Sequence, residues 1–209
     1  KDPGYESIAG GKLTPIMVSG FQIFSIGLLF PEDVANLWDG EQKASAVKQI
    51  VTTSIAWDDD LDWVLVDTPP TSGEEIQSLL ANMKDIYGVV IVCQPNDLSV
   101  LGIAKTLNVL METETPICGL VANMVGYRCP YCGKVSNPFD RSADDVAALA
   151  NQFGVHFLGS VPFGDALERA GPMKNIVEGI LTLEPVTLHE KKGGISRWLI
   201  SRWLMSKIL

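Results

Sequence analysis

Residues Trp63-Val-Leu-Val-Asp67-Thr-Pro-Pro70 join a short, unbroken apolar run to one carboxylate and a stiff turn. Such a run suits a strand covered on both faces in a parallel sheet, and predicts an interior strand over residues 62–67. In open α/β sheets, ligands bind at the carboxyl ends of the strands. Asp67 is therefore expected at a ligand-binding edge, although an Asp there also caps a turn with no ligand present. Pro69 and Pro70 restrict the loop that follows. A helix is expected from about Ser72-Gly73, its free N–H groups facing the same edge. Oriented amides beside a carboxylate suit a Mg²⁺-bound terminal phosphate.

The rest of the chain repeats that pattern. Val89–Val92, Ile117–Val121 and, more weakly, His156–Val161 are further apolar runs. Between them lie stripes of helical period: Ile76, Leu79, Leu80 and Met83; Leu101, Ala104, Leu107, Val109 and Leu110; Val146, Leu149, Ala150 and Phe153. Strand–helix–strand alternation predicts a doubly wound, mainly parallel α/β sheet. Helix starts are expected at Ser72 with Glu75 three residues on, at Asp97, and at Ser142 with Asp145. Upstream, Leu13–Val18 and Phe21–Leu28 read as two strands around Ser19-Gly20. Val47, Ile50, Val51, Ser54 and Ile55 mark an amphipathic helix.

The chain has 209 residues, 46% hydrophobic and 20% charged, enough for one α/β domain with a real core. Its net charge of −9 disfavours a general nucleic-acid binder. No stretch approaches the roughly 20 apolar residues of a membrane span, and KDPGYESIAGG at the start has no signal-peptide character. The start also lacks Met, as a fragment would. The charge is uneven. Residues 189–209 carry Lys191, Lys192, Arg197, Arg202 and Lys207 against Glu190. One domain over 1–188 and a basic, Trp-containing tail over 189–209 are expected. Within the tail, Ser-Arg-Trp-Leu recurs with a five-residue period that fits neither helix nor strand. Contact with a membrane surface, contact with a partner, and a solvated tail bound to nothing all fit it.

Four cysteines are too few for a disulfide scaffold and suit a reducing, cytoplasmic setting. Cys93 and Cys118 lie inside apolar runs and read as small buried hydrophobes. Cys129-Pro-Tyr-Cys132-Gly133 follows a strand in a loop rich in Gly and Pro. Two thiolates so spaced can share one metal, yet zinc or an iron–sulfur cluster needs four ligands. A second copy across a twofold axis would supply the other two. A redox pair and an inert pair are the other readings. Asn123, ending the strand over 117–122, and Pro162, ending the next, are placed at the same sheet edge. Asn there can hydrogen-bond a base, though Asn commonly ends strands.

Taken together, Gly11-Lys-Leu-Thr-Pro15, Ser25-Ile-Gly-Leu-Leu29, Asp67-Thr-Pro-Pro70, Val121-Ala-Asn-Met124, Cys129-Pro-Tyr-Cys-Gly133 and Leu158-Gly-Ser-Val-Pro162 resemble the Mrp-type iron–sulfur cluster carrier ATPases of the MinD/ParA-like P-loop class. The resemblance covers roughly residues 10 to 180. It implies a P-loop NTPase fold, with Asp67 at the Walker B position near Mg²⁺. Pro69 would line the same nucleotide site, Asn123 would contact adenine, and the loop at Pro162 would close over the base. It further implies that Cys129 and Cys132 hold a [4Fe–4S] cluster bridging a homodimer. The cluster would pass to apo iron–sulfur client proteins, with ATP hydrolysis coupled to its handling.

Three departures accompany the resemblance. The family's Gly-Lys-Gly-Gly-Val-Gly-Lys-Ser/Thr loop has no match here; Gly10-Gly-Lys12 and Lys192-Gly-Gly194 lack its spacing. The chain is thus expected to be N-terminally truncated, beginning downstream of that loop, and inactive alone as an ATPase. Thr71 stands where the family carries a Gly after Asp-x-Pro-Pro. The tail is not a family feature. Two other functions remain open: a non-catalytic metal-binding dimerisation module, and a MinD-type positioning ATPase with structural zinc.

Overall fold

The computed structural model describes residues 11–29, 38–68, 73–164 and 166–188. The chain divides between Lys84 and Asp85 into two compact units. The expected boundary at 188/189 falls at the end of the described residues, and the tail lies outside them.

In the first unit, β1 (Ile16–Val18) and β2 (Phe21–Ile23) pair antiparallel across Ser19-Gly20, both of which have positive φ. Both strands are shorter than expected, and Ile26–Leu29 forms a 3-10 turn instead of continuing β2. Helix α1 (Gly40–Gln49) begins well before the apolar stripe that suggested it, because Asp39 and Gln42 cap it reciprocally. It passes into a π-helical turn, Ile50–Ser54, after which Ile55 makes a parallel bridge to Leu13 and is buried. Helix α2 (Glu74–Asn82) starts at an N-cap Gly73 that donates no side-chain cap, and Ser72 lies outside the described residues. Glu74 and Glu75 compensate by placing two carboxylates against the positive helix end.

The expected interior strand over 62–67 does not form. Residues 63–68 are irregular, and Trp63, Val64, Leu65 and Val66 are all exposed, Leu65 by 89%. Apolar character selects burial only where neighbouring strands supply a ladder. Among the described residues, no strand pairs with this run.

The second unit carries the sheet. Its strands are β3 (Val89–Cys93), β4 (Ile117–Arg128), β5 (Val135–Ser136) and β6 (Phe157–Phe163). Central β4 pairs parallel with β3 on one side and with β6 on the other. Beyond the end of β3, β5 takes over that side in antiparallel sense, so the sheet is mixed. Its helices among the described residues are α3 (Asp97–Glu112), α4 (Ala143–Phe153) and α5 (Ala166–Thr182). Helix α3 packs on β3, α4 on β4 and β6, and α5 mainly on β6.

All six residues Ile117–Ala122 are buried, the signature of a strand covered on both faces. On one face Val121, Leu158, Val161 and Ile176 form a single cluster with Val90 and Ile180. Leu107 and Leu110 of α3 and Val146, Leu149 and Ala150 of α4 are buried as their stripes predict. Two caps differ in detail. Asn96, not Asp97, caps α3 by accepting from the Ser99 N–H, whereas Ser142 and Asp145 form the expected capping box. Gly119, at φ +150°, lets β6 approach: a Cβ there would meet the His156 carbonyl oxygen at 2.6 Å.

Candidate metal centre

Strand β4 outruns both its parallel neighbours' apolar cores and ends in a hairpin. Tyr127 pairs with Ser136 and Arg128 with Val135. Beyond them the Cys129 N–H donates to the Lys134 carbonyl at 2.9 Å, and the Gly133 N–H to the Cys129 carbonyl at 2.9 Å. The segment Cys129–Gly133 is therefore one closed turn at the hairpin tip. Gly133 sits at φ +68° with open space around its missing side chain, so its role is conformational. The Arg128 guanidinium reaches the Gly133 carbonyl at 3.4 Å.

This turn brings the two sulfurs together. The Cys129 sulfur faces the backbone N–H groups of Cys132 and Tyr131 and the Cys132 thiol, in that order of effect, and these hold its pKa below the ordinary thiol value. Hydrogen bonds to the charged form favour it, so the turn shifts Cys129 toward the thiolate, the form that ligates metal. Cys132 is exposed, and Tyr131 between them is 97% exposed. Among the described residues no third His, Cys, Asp or Glu joins the pair. Two thiols are half of what a four-thiolate site would require.

Cys93 and Cys118 are buried, as expected. Burial pushes the Cys93 thiol up to about 11 and raises Cys118 as well. Burial thus disfavours the thiolate form of both.

Asn123 and Pro162 come together at the carboxyl edge of the sheet: Asn123 pairs with Val161, and Pro162 with Val125. The Asn123 Oδ1 accepts from the Met124 N–H at 2.9 Å. That contact fixes the amide, and the oxygen retains a second lone pair. Met124 is held at φ +60°, where the register of β4 against β6 shifts. The Gln94 Nε2 lies 3.1 Å from the Met124 sulfur. Sequence reasoning passed over Gln94, yet the end of β3 sets it at this edge.

Asp67 stands in the first unit, on the irregular stretch 63–68, rather than at the end of a sheet strand; the missing ladder described above is the reason. Pro69 lies outside the described residues. The structure thus unites Asn123, Pro162, Cys129 and Cys132 in the second unit, while Asp67 belongs to the other.

Arg141 was also passed over in the sequence. Its guanidinium, only 10% exposed, pairs with Asp97 at the start of α3 and lies 3.8 Å from Asp145 of α4. Its backbone N–H donates to the Pro95 carbonyl, and its carbonyl accepts from Asn137 just past β5. The return arm of the hairpin is thereby fastened to the sheet edge. Across β4 and β6, Tyr127 and Phe163 meet edge-on, with centroids 5.8 Å apart.

A family model described as ParA, NUBPL iron-transfer P-loop NTPase, matches residues 4–180. The chain is 37% identical over 144 residues to the iron-sulfur cluster carrier protein of Methanocaldococcus jannaschii, covering 68% of this chain and 48% of that one. It is 34% identical over 152 residues to the cytosolic Fe-S cluster assembly factor cfd1 of Neurospora crassa, covering 69% and 49%. The chain thus spans about half the length of these curated relatives. Among solved structures, a nucleotide-binding protein from Archaeoglobus fulgidus in complex with ADP superposes with a TM-score of 0.59. At 21% identity, over 90% of this chain and 72% of that one, this likeness shows the fold.

Proposed function

The chain belongs to the NUBPL-type ParA family of iron-transfer P-loop NTPases, and from that premise we propose that its CxxC hairpin carries an iron–sulfur cluster as cargo. The observation that carries the reading is the pairing of Cys129 and Cys132 in one closed turn, with the Cys129 thiolate favoured by its neighbours. Two thiolates complete half a [4Fe–4S] site, and a second copy of the chain supplies the other half. The cluster passes from this homodimer to apo iron–sulfur proteins. An exposed Cys132 leaves one ligand open to exchange with an acceptor thiol. Relatives named as cytosolic assembly factors support a cytosolic setting.

The nucleotide part of the proposal is assigned residue by residue. Asn123 and Pro162 share the sheet edge and suit a base: the amide supplies a donor and an acceptor, and the Pro ring an apolar contact. For Asp67 and Pro69 the roles toward Mg²⁺ and phosphate rest on the family resemblance of Asp67-Thr-Pro-Pro70 alone. The chemistry of Asp67 fits, since Mg²⁺ takes carboxylate oxygen. Bound ATP and Mg²⁺ would supply the free energy that couples cluster binding to release. The 209 residues contain no Gly-Lys-Gly-Gly-Val-Gly-Lys-Ser/Thr stretch, so hydrolysis is not assigned to them alone.

Transfer tests the reading. The chain, reconstituted anaerobically with iron and sulfide, is desalted and mixed with an apo [4Fe–4S] dehydratase. Return of dehydratase activity faster than with free iron and sulfide is expected. Activity no faster than that control, from a chain that holds its cluster, contradicts the carrier role. Zinc held in preference to the cluster under the same anaerobic conditions would favour the structural-metal alternative.

A further inference from the structure

The cysteine pair is more open than holding a metal requires. Cys132 is exposed and Tyr131 almost wholly so, at the tip of a two-stranded hairpin whose return strand is two residues long. The turn closed between Cys129 and Gly133 holds residues three apart on one side, and a disulfide needs Cα atoms only roughly 4.4–6.8 Å apart. The Cys132 thiol already faces the Cys129 sulfur. The fold's other two thiols, Cys93 and Cys118, are buried in the sheet and removed from exchange. A pair in which Cys132 is exposed, Cys129 is half-buried and the two thiols face each other can react with a small disulfide before any metal arrives.

We propose that Cys129 and Cys132 form a reversible intramolecular disulfide by exchange with a low-molecular-weight disulfide, and that this bond closes the hairpin to metal. The balance is complete. One cysteine sulfur attacks the small disulfide, forms a mixed disulfide and releases one small thiol. The second cysteine sulfur attacks the mixed bond and releases the other. Two protein thiols are oxidised, one small disulfide is reduced to two thiols, and the protons pass to the released thiols. In the product both sulfurs are spent on each other, so neither is a thiolate ligand. The reduced hairpin loads cargo and the oxidised one does not. The coupling to loading rests on the cluster-carrier reading; the disulfide itself does not.

The geometry favours the ring over a lasting mixed disulfide. Pro130 and the closed turn keep the second sulfur beside the first, so the resolving step is intramolecular. No large rearrangement is needed, because the hairpin is already paired at Tyr127–Ser136 and Arg128–Val135.

The test uses the full chain, free of metal, incubated with oxidised glutathione and digested with trypsin without reduction. Cleavage after Arg128 and Lys134 releases one peptide, Cys129 to Lys134, that contains both cysteines. The expected peptide lacks two hydrogens relative to the dithiothreitol-reduced one, while Cys129→Ser and Cys132→Ser chains instead retain glutathione on the remaining sulfur. The oxidised chain is expected to take up at most about a tenth of the iron taken by the reduced chain, with recovery on reduction. A peptide that stays in the dithiol form, or carries glutathione on both sulfurs, overturns the switch and leaves the carrier reading standing. A disulfide that forms without lowering iron uptake overturns both the coupling and the assignment of these cysteines as ligands.

Discussion

The Gly133 N–H donates to the Cys129 carbonyl across 2.9 Å, and this single contact winds the chain between the two cysteines into a closed turn. Without it, Cys129 and Cys132 would be two thiols on a flexible tip. With it, they are two neighbouring thiols at the end of β4, the longest strand among the described residues.

Gly133 is the residue on which that turn depends. Its φ of +68° lies in the left-handed region, and nothing stands within 4 Å of where a Cβ would be. Substitution therefore acts through backbone strain alone. Gly133→Val is expected to disfavour the turn by about 1–3 kcal/mol, and Gly133→Asn by much less. Iron affinity of the reconstituted chain should fall roughly ten-fold or more for the Val variant, with the denaturation midpoint lowered by no more than that strain accounts for. Equal affinity for both variants would mean the turn does not position the sulfurs.

Cys129 and Cys93 are shifted to opposite sides of the ordinary thiol pKa. The backbone N–H of Cys132, that of Tyr131 and the Cys132 thiol lower the Cys129 pKa, whereas burial raises Cys93 to about 11. A depressed folded-state value stabilises the fold above the unfolded thiol's pKa, and that contribution is lost as pH falls through the folded value. Alkylation followed against pH is expected to show Cys129 reacting with a midpoint below that of a free thiol. Cys93 should stay unreactive until the chain unfolds. Cys132→Ala should move the Cys129 midpoint upward. Metal release should accompany acidification through the same range, as protons compete for the ligand.

Leu107 and Leu65 test where the core lies. Leu107 is fully buried, and Leu65 is 89% exposed. Leu107→Ala should cost about 2–5 kcal/mol, and Leu65→Ala no more than about 0.5 kcal/mol. The difference is read from chemical denaturation midpoints of the two variants. A Leu65→Ala cost matching that of Leu107→Ala would show the run over 63–66 to be buried in solution.

The contrast between these two leucines also shows what could be read from the sequence. The strands β3, β4 and β6 and the helices α3 and α4 were legible because their apolar periods agree with how they pack. Ser142 and Asp145 even announced their capping box. The Trp63–Val66 run carries the same local signal and fails, since strand formation depends on a neighbour that no window of sequence specifies. Helix α5 was hidden by Gly171 and Pro172, which interrupt its period. At the site, Cys129-Pro-Tyr-Cys132 was visible as a motif, but the hairpin that presents it was not. Its return strand, Val135–Ser136, is too short to show alternation. Arg141 and Gln94 escaped because their partners, Asp97 and Met124, lie far off in the chain.

These 209 residues are expected to turn over ATP at no more than background. Preorganised donors on a phosphate are each worth roughly 10²–10³ in rate, and these 209 residues contain no Gly-Lys-Gly-Gly-Val-Gly-Lys-Ser/Thr stretch to supply them. Phosphate release measured with the purified chain, Mg²⁺ and ATP checks this. Turnover abolished by Asp67→Ala would mean that another segment cradles the phosphates.

The most direct measurement is anaerobic reconstitution with iron and sulfide, read by absorbance, iron counting and sizing. About four iron atoms per two chains are expected. That content should be lost in Cys129→Ala and in Cys132→Ala, and kept in Cys93→Ala and Cys118→Ala. A single chain that binds the same iron after both hairpin cysteines are removed would contradict the cluster-carrier reading at its centre.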